Sequence, residues 1–156
     1  MMLCRDTMKV HWFVLLMIAA VLLIAPVVSA KTVEEKDGYI VESGTTALRL
    51  PEMSLFSSGS ISQGQTNWYT TAVSSGKTSF NTDLYWGNPS NSLALTIYAP
   101  DSVLGPYYDS ADGATDGRIR LRFSKPLGLT TGTWYSGVYG QSVSGVQSYT
   151  YSAYAV

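Results

Sequence analysis

Four aspartates, Asp101, Asp109, Asp112 and Asp116, fall within sixteen residues and alternate with Gly105, Gly113 and Gly117. Calcium takes roughly six to eight oxygen ligands, and aspartate carboxylates with the carbonyls of a glycine-rich turn can supply them. The spacing is not that of an EF-hand, which would need an acidic or amide residue at Ala111 and at Gly113. Asp83 is a weaker candidate to complete such a site. Aspartate and glycine are also ordinary turn formers, and solvated turns are the simpler reading of this loop. A second constellation follows directly: Arg118, Arg120 and Arg122 alternate with Ile119, Leu121 and Phe123. On a strand the three guanidinium groups share one face at intervals of about 7 Å. An anionic glycan or lipid surface would suit them; a solvated face paired with acidic neighbours is the commoner outcome. The third is aromatic. Trp68, Tyr85, Tyr98, Tyr107, Tyr108, Tyr135 and Tyr139 are candidate outward aromatics, and a coplanar row of them would stack on sugar rings. Tyrosine and tryptophan are favoured in strands for their own sake, so the row has to be shown.

Absences narrow the chemistry further. The only cysteine is Cys4 and the only histidine is His11. Both precede or lie within a segment that reads as an export signal: Arg5 and Lys9, an uncharged run WFVLLMIAAVLLIA from Trp12 to Ala25, and small residues Ser29 and Ala30 before Lys31. The run is shorter than the ~20 residues of a spanning helix, so cleavage is expected over an uncleaved anchor. Met8 offers an equally complete start. Cleavage after Ala30 of the 156-residue chain leaves 126 residues, the size of one domain. That product has no Ser–His–Asp triad, no cysteine nucleophile and no ordinary zinc site. Metal binding would be oxygen-based, hence calcium. No G-x-S-x-G motif occurs, and a domain this small has little room for a two-carboxylate glycosidase cleft. No enzyme is expected. Arg5, Lys9 and Asp6 leave with the signal, so eight basic and ten acidic residues remain of the ten and eleven in the chain. That balance implies no basic surface for nucleic acid. Membrane contact is expected only through the signal segment if it is uncleaved.

The elements that would hold these residues are strands. Residues 31–56 form a mixed lead-in: Lys31 to Asp37 is charged and expected to be mobile, with strands open at Tyr39–Val41 and Leu48–Leu50. From Ser57 onward, short alternating runs are separated by Gly, Asn, Pro and Asp, and no window shows a helical period. Phe80, Leu84 and Trp86 share a face opposite Ser79, Asn81, Asp83 and Tyr85, the polar set being expected to meet water. Leu93, Leu95 and Ile97 point inward with Tyr98 outward. Pro100–Gly117 reads as one long acidic loop. Trp134 and Val138 lie opposite Tyr135 and Tyr139, and Tyr149, Tyr151 and Ala153 opposite Ser148, Thr150 and Ser152. The expectation is an all-β, jelly-roll-like antiparallel sandwich of about seven to nine strands.

Taken in order, ISQGQTNWYTTAVSSGKTSF, LALTIYAPDS, DGATDGRI, GTWYSGVYG and SYTYSAY resemble the bacterial and archaeal pre-peptidase C-terminal domain family, over Ser57 to Tyr154. The resemblance implies a jelly-roll-like sandwich acting as a non-catalytic accessory module of secreted enzymes, in some members with calcium in acidic loops. Here no peptidase sequence accompanies it. The expectation is therefore a free-standing secreted or cell-surface protein, with residues 57–156 as the module and a surface protein or glycan as partner. A carbohydrate-binding module using exposed Trp and Tyr is the alternative, and a small secreted hydrolase comes behind both.

Overall fold

The computed structural model describes residues 30–44 and 56–156. The expected export signal and the strand expected at Leu48–Leu50 lie outside the described residues. Ten strands occur among them: β1 (Thr32–Lys36), β2 (Tyr39–Ser43), β3 (Ser57–Ser62), β4 (Thr66–Val73), β5 (Ser79–Tyr85), β6 (Ser92–Ala99), β7 (Ser102–Tyr107), β8 (Arg118–Ser124), β9 (Gly132–Ser142) and β10 (Val146–Ala155). A single 3₁₀ turn covers Asp109–Asp112.

Alternation dictates how these strands stack. Phe80 and Leu84 on β5 lie opposite Phe123 and Ile119 on β8, and all four are fully buried. β10 joins the other side of β5, placing Tyr151 beside Leu84. The result is a six-stranded sheet in the order β1-β2-β8-β5-β10-β3. Leu93, Leu95 and Ile97 of β6 and Trp134 and Val138 of β9 supply the facing layer, from a four-stranded sheet ordered β4-β9-β6-β7. Every strand pair is antiparallel. The protein is an all-β sandwich.

Much of the aromatic content belongs to this core. Trp134 packs against Phe80 at 4.8 Å between ring centroids and edge-on to Tyr39 at 5.8 Å. Buried tyrosines keep their hydroxyls paired, as a dry interior requires. Tyr151 donates to Ser136 Oγ at 2.6 Å, Tyr39 to Asp101 Oδ1 at 2.7 Å, and the Tyr69 and Tyr149 hydroxyls share one hydrogen bond at 2.7 Å.

Several expectations need correction. Lys31–Asp37 is not a mobile lead-in: Thr32–Lys36 is an edge strand on β2. Its charges fit that position, because charged edges discourage pairing with other chains. Pro100–Gly117 is not one loop, since β7 pairs with β6 across a register shift between Leu95 and Ile97. These two strands raise the number above the seven to nine expected. Tyr107 is not outward. It is 5% exposed, and its hydroxyl donates to Glu34 on β1. Ser79 and Asn81, placed among the water-facing residues, are buried.

Candidate functional site

The outer face of the four-stranded sheet gathers the exposed aromatics. Trp68 on β4 lies opposite Gly137 on β9, and Gly137 lies opposite Thr96 on β6. One row away, Tyr135 stands between Thr70 and Tyr98; on the other side, Tyr139 stands between Thr66 and Ala94. Trp68 does not stand upright. Its ring leans over Gly137, where a Cβ would come within 3.2 Å of the ring carbons, and meets Tyr98 at 5.3 Å between centroids. A glycine at that position is what lets the indole lie down.

Trp68, Tyr108, Tyr135 and Tyr139 all remain exposed, with Trp68 at 56%. Trp68, Tyr98, Tyr108 and Tyr139 line a groove of about 290 Å³, with Ala94, Thr96 and Gly137 in its floor and Thr66 and Gln141 at its margin. Its lining contains no Asp, Glu, Lys or Arg. Exposed indole and phenol faces beside hydroxyl and amide groups, without charge, suit a neutral ligand that combines flat C–H faces with hydroxyls. Apart from Tyr108, which follows β7, the side chains that build the groove sit on paired strands, so their spacing is preset.

Tyr85, Asp83 and the arginines lie on the opposite sheet. Tyr85 ends β5 and is half exposed. Arg118 is adjacent in register, with its guanidinium carbon 5.6 Å from the Tyr85 ring centre. Asp83 holds both of the first two arginines. Arg118 donates from Nε to Asp83 Oδ1 at 2.8 Å and from Nη2 to Oδ2, and Arg120 reaches the same Oδ2 at 3.2–3.3 Å. Burial pushes the Asp83 carboxyl up, against the pull of the Arg118 hydrogen bonds and charge. Asp83 is therefore engaged by arginine and does not join the acidic loop. Arg122 is the most exposed of the three, with only a 3.9 Å contact to Glu42. The stripe is real as a row; two of its charges share one carboxylate.

The four loop aspartates divide. Asp101 sits apart, accepting from Tyr39 on Oδ1 and from Lys125 and Thr130 at 2.6 Å on Oδ2. Partial burial raises its pKa, but the hydrogen bonds from Lys125, Thr130 and Tyr39 outweigh this and hold it down to about 2. Asp109 is buried and faces backbone: Oδ1 accepts from the amides of Asp116, Gly117 and Arg118 at 3.3, 3.0 and 3.0 Å. Asp112 accepts from the Ala114 and Arg120 amides. Burial first, then the negative charges of Asp116 and Asp109, push Asp112 up to about 6, with the Ala114 amide opposing. Among the described residues no group of three or more His, Cys, Asp or Glu is arranged to hold a metal ion.

The loop also serves its neighbours. Gly117, in a left-handed conformation, accepts from the Trp86 and Gly87 amides. A Cβ there would come within 2.8 Å of the Gly87 and Asn88 nitrogens, so only glycine packs this closely. Asp109 thus fixes the start of β8 against the end of β5, where Tyr85 and Arg118 stand.

Of the aromatics singled out in the sequence, Trp68, Tyr98, Tyr108 and Tyr139 come together in this groove; Tyr85 and the arginines lie on the other sheet. The floor residues Gly137, Ala94 and Thr96 are absent from the sequence-predicted site. The period-2 run Tyr135-x-Gly137-x-Tyr139 was the available signal: a glycine flanked by two outward tyrosines on one face.

No family model matches the chain. A 41-residue stretch, 26% of the chain, is 54% identical to an uncharacterized protein of Archaeoglobus fulgidus. The match covers 56% of that protein, so the chain spans little more than half the length of this relative.

Proposed function

We propose that this chain is a secreted, non-catalytic β-sandwich that binds neutral glycan chains through the outer face of its four-stranded sheet. The observation that carries the reading is Trp68 lying over Gly137 against Tyr98 in an uncharged groove that Tyr139 also lines, with Tyr135 exposed beside Tyr98 in register. Isolated exposed aromatics are normal on protein surfaces, but a contiguous patch of them marks an interaction site. The hydroxyl and amide groups at the margin of this patch favour a polyhydroxylated ligand over an apolar one.

Secretion rests on the N-terminal sequence, and the resemblance of Ser57–Tyr154 to pre-peptidase C-terminal domains belongs to the same proposal. The two-sheet antiparallel architecture supports it. The partner is then a glycan at a cell surface or in its surroundings. The engagement of Asp109 and Asp112 with backbone amides favours a structural role for the acidic loop over calcium ligation.

The test is an NMR titration with neutral and with uronate-containing oligosaccharides. The reading expects the neutral sugars to shift the Trp68 indole and the backbone amides of Thr96, Gly137 and Tyr139. Shifts confined to uronate-containing sugars and centred on Arg122 would replace it with an anionic-glycan site.

A further inference from the structure

A second polar groove lies on the other side of the sandwich. It occupies about 530 Å³ on the outer face of the six-stranded sheet, where β3, β10 and β5 run side by side. Its floor is a square of hydroxyls: Ser60 opposite Ser148, and Ser58 opposite Thr150. None of these four hydroxyls hydrogen-bonds another described residue. Tyr85 stands next to Thr150 in register and forms the wall.

That wall is held in place. The Arg118 guanidinium lies against the Tyr85 ring and is itself fixed by Asp83. The phenol also passes close over Gly87, where a Cβ would come within 2.8 Å of its hydroxyl oxygen. A ring pinned on two sides loses little freedom when a ligand stacks on it. The groove lining contains no charged residue.

We infer that this groove is a second neutral-glycan site, on the face opposite the Trp68 groove. The inference rests on the glycan-binding reading for the class of ligand, not for the location. The two sheets pack back to back about 10 Å apart, so the two outer faces point in opposite directions. One short oligosaccharide cannot reach both. The domain therefore holds two chains at once and acts as a cross-linker of polysaccharide, gaining avidity on a multivalent surface.

The experiment uses the full chain, with cellohexaose, maltohexaose and mannohexaose as probes by titration calorimetry. Light scattering then follows mixing with the long polymer of whichever hexasaccharide binds. Wild-type protein should take up two hexasaccharides per chain and aggregate the polymer. Ser148→Arg, which fills the groove but leaves Tyr85 and its contacts intact, should lower the stoichiometry to one and abolish aggregation; Tyr85→Ala should do the same. Trp68→Ala should likewise leave one site, the one on the Tyr85 side.

A wild-type stoichiometry of one that Trp68→Ala abolishes, with Ser148→Arg silent, would overturn the second site and leave the first standing. The converse pattern would place binding at Tyr85 alone and overturn the first site. It would also remove the cross-linking. No heat and no aggregation with any of the three sugars would overturn both.

Discussion

Replacing Asp109 with alanine tests whether the acidic loop is held by its own backbone or by a bound cation. The carboxylate accepts from the amides of Gly117 and Arg118 at 3.0 Å and more weakly from Asp116 at 3.3 Å, in a position 6% exposed. A hydrogen bond to a charged group contributes about 1.5–3 kcal/mol, and neighbouring bonds to one carboxylate do not add in full. Two good bonds and one long one therefore put the loss near 3 kcal/mol. For a domain of this size each kcal/mol moves the melting temperature by about 3–5 °C, so Asp109→Ala should melt about 10–15 °C lower. Asp109→Asn keeps an oxygen where Oδ1 stands and loses charge and the second acceptor. It should lose about 1 kcal/mol, or roughly 3–5 °C. Thermal melts by circular dichroism in chelator and in millimolar calcium give the readout. The same ordering, wild type above Asn above Ala, is expected in both buffers. A destabilisation that appears only with calcium present would refute the hydrogen-bond account and make Asp109 a metal ligand.

Three further outcomes follow from the same geometry. Asp112, raised to about 6, carries more protons in the folded chain than unfolded between about pH 4 and 6, so its contribution to stability falls as pH rises through that window. Asp101, depressed to about 2, adds stability above about pH 4 that is lost as pH falls toward 2. Melting temperature should thus peak near pH 4, and Asp112→Asn should flatten the decline between pH 4 and 6; an unchanged slope would contradict it. Tyr151→Phe leaves the buried Ser136 hydroxyl without its 2.6 Å partner and should lose about 1–2 kcal/mol in a denaturant melt, against no change if the bond is idle. Gly137→Val puts a branched side chain under Trp68, where even a Cβ lies only 3.2 Å from the ring. It should lift the indole and weaken glycan binding about tenfold while the melt stays within a few degrees. Equal binding would show that the indole's lie does not matter.

The layers of this fold were legible wherever apolar residues alternate without interruption. Phe80–Leu84 and Ile119–Phe123 face inward as their spacing implies, because a slip of one residue would bury Asp83 and three arginines instead. β7 was hidden because SVLGPY carries a Gly-Pro pair, which normally marks a turn, and its partner strand shifts register at Leu95–Ile97. The same region turns Tyr107 inward to reach Glu34, a contact between strands 73 residues apart that no local pattern announces. β1 read as a charged lead-in because edge strands carry charge for reasons unrelated to the core. Ser79 and Asn81 alternate like solvent-facing residues yet are buried, and Asn81 Oδ1 and Ser152 Oγ have no hydrogen-bond partner among the described residues; the fold gives no local reason for this.

For the candidate site, the outward direction of Trp68, Tyr135 and Tyr139 could be read from their strands. Their assembly could not. It depends on β9 lying between β4 and β6, strands brought together by crossovers between the two sheets. The arginine row was equally visible, but Asp83 is paired to it only by the register of β5 on β8.

The most direct test of the glycan-binding account is the affinity of Trp68→Ala for the neutral hexasaccharide that binds wild-type protein best. Truncating a central aromatic anchor removes about 2 kcal/mol or more, a weakening of roughly thirtyfold at the four-stranded face. Trp68 is largely exposed and makes its main contacts with Tyr98 and Gly137, so the melt should stay within a few degrees of wild type. A folded Trp68→Ala protein that binds within twofold of wild type at both faces would contradict the account.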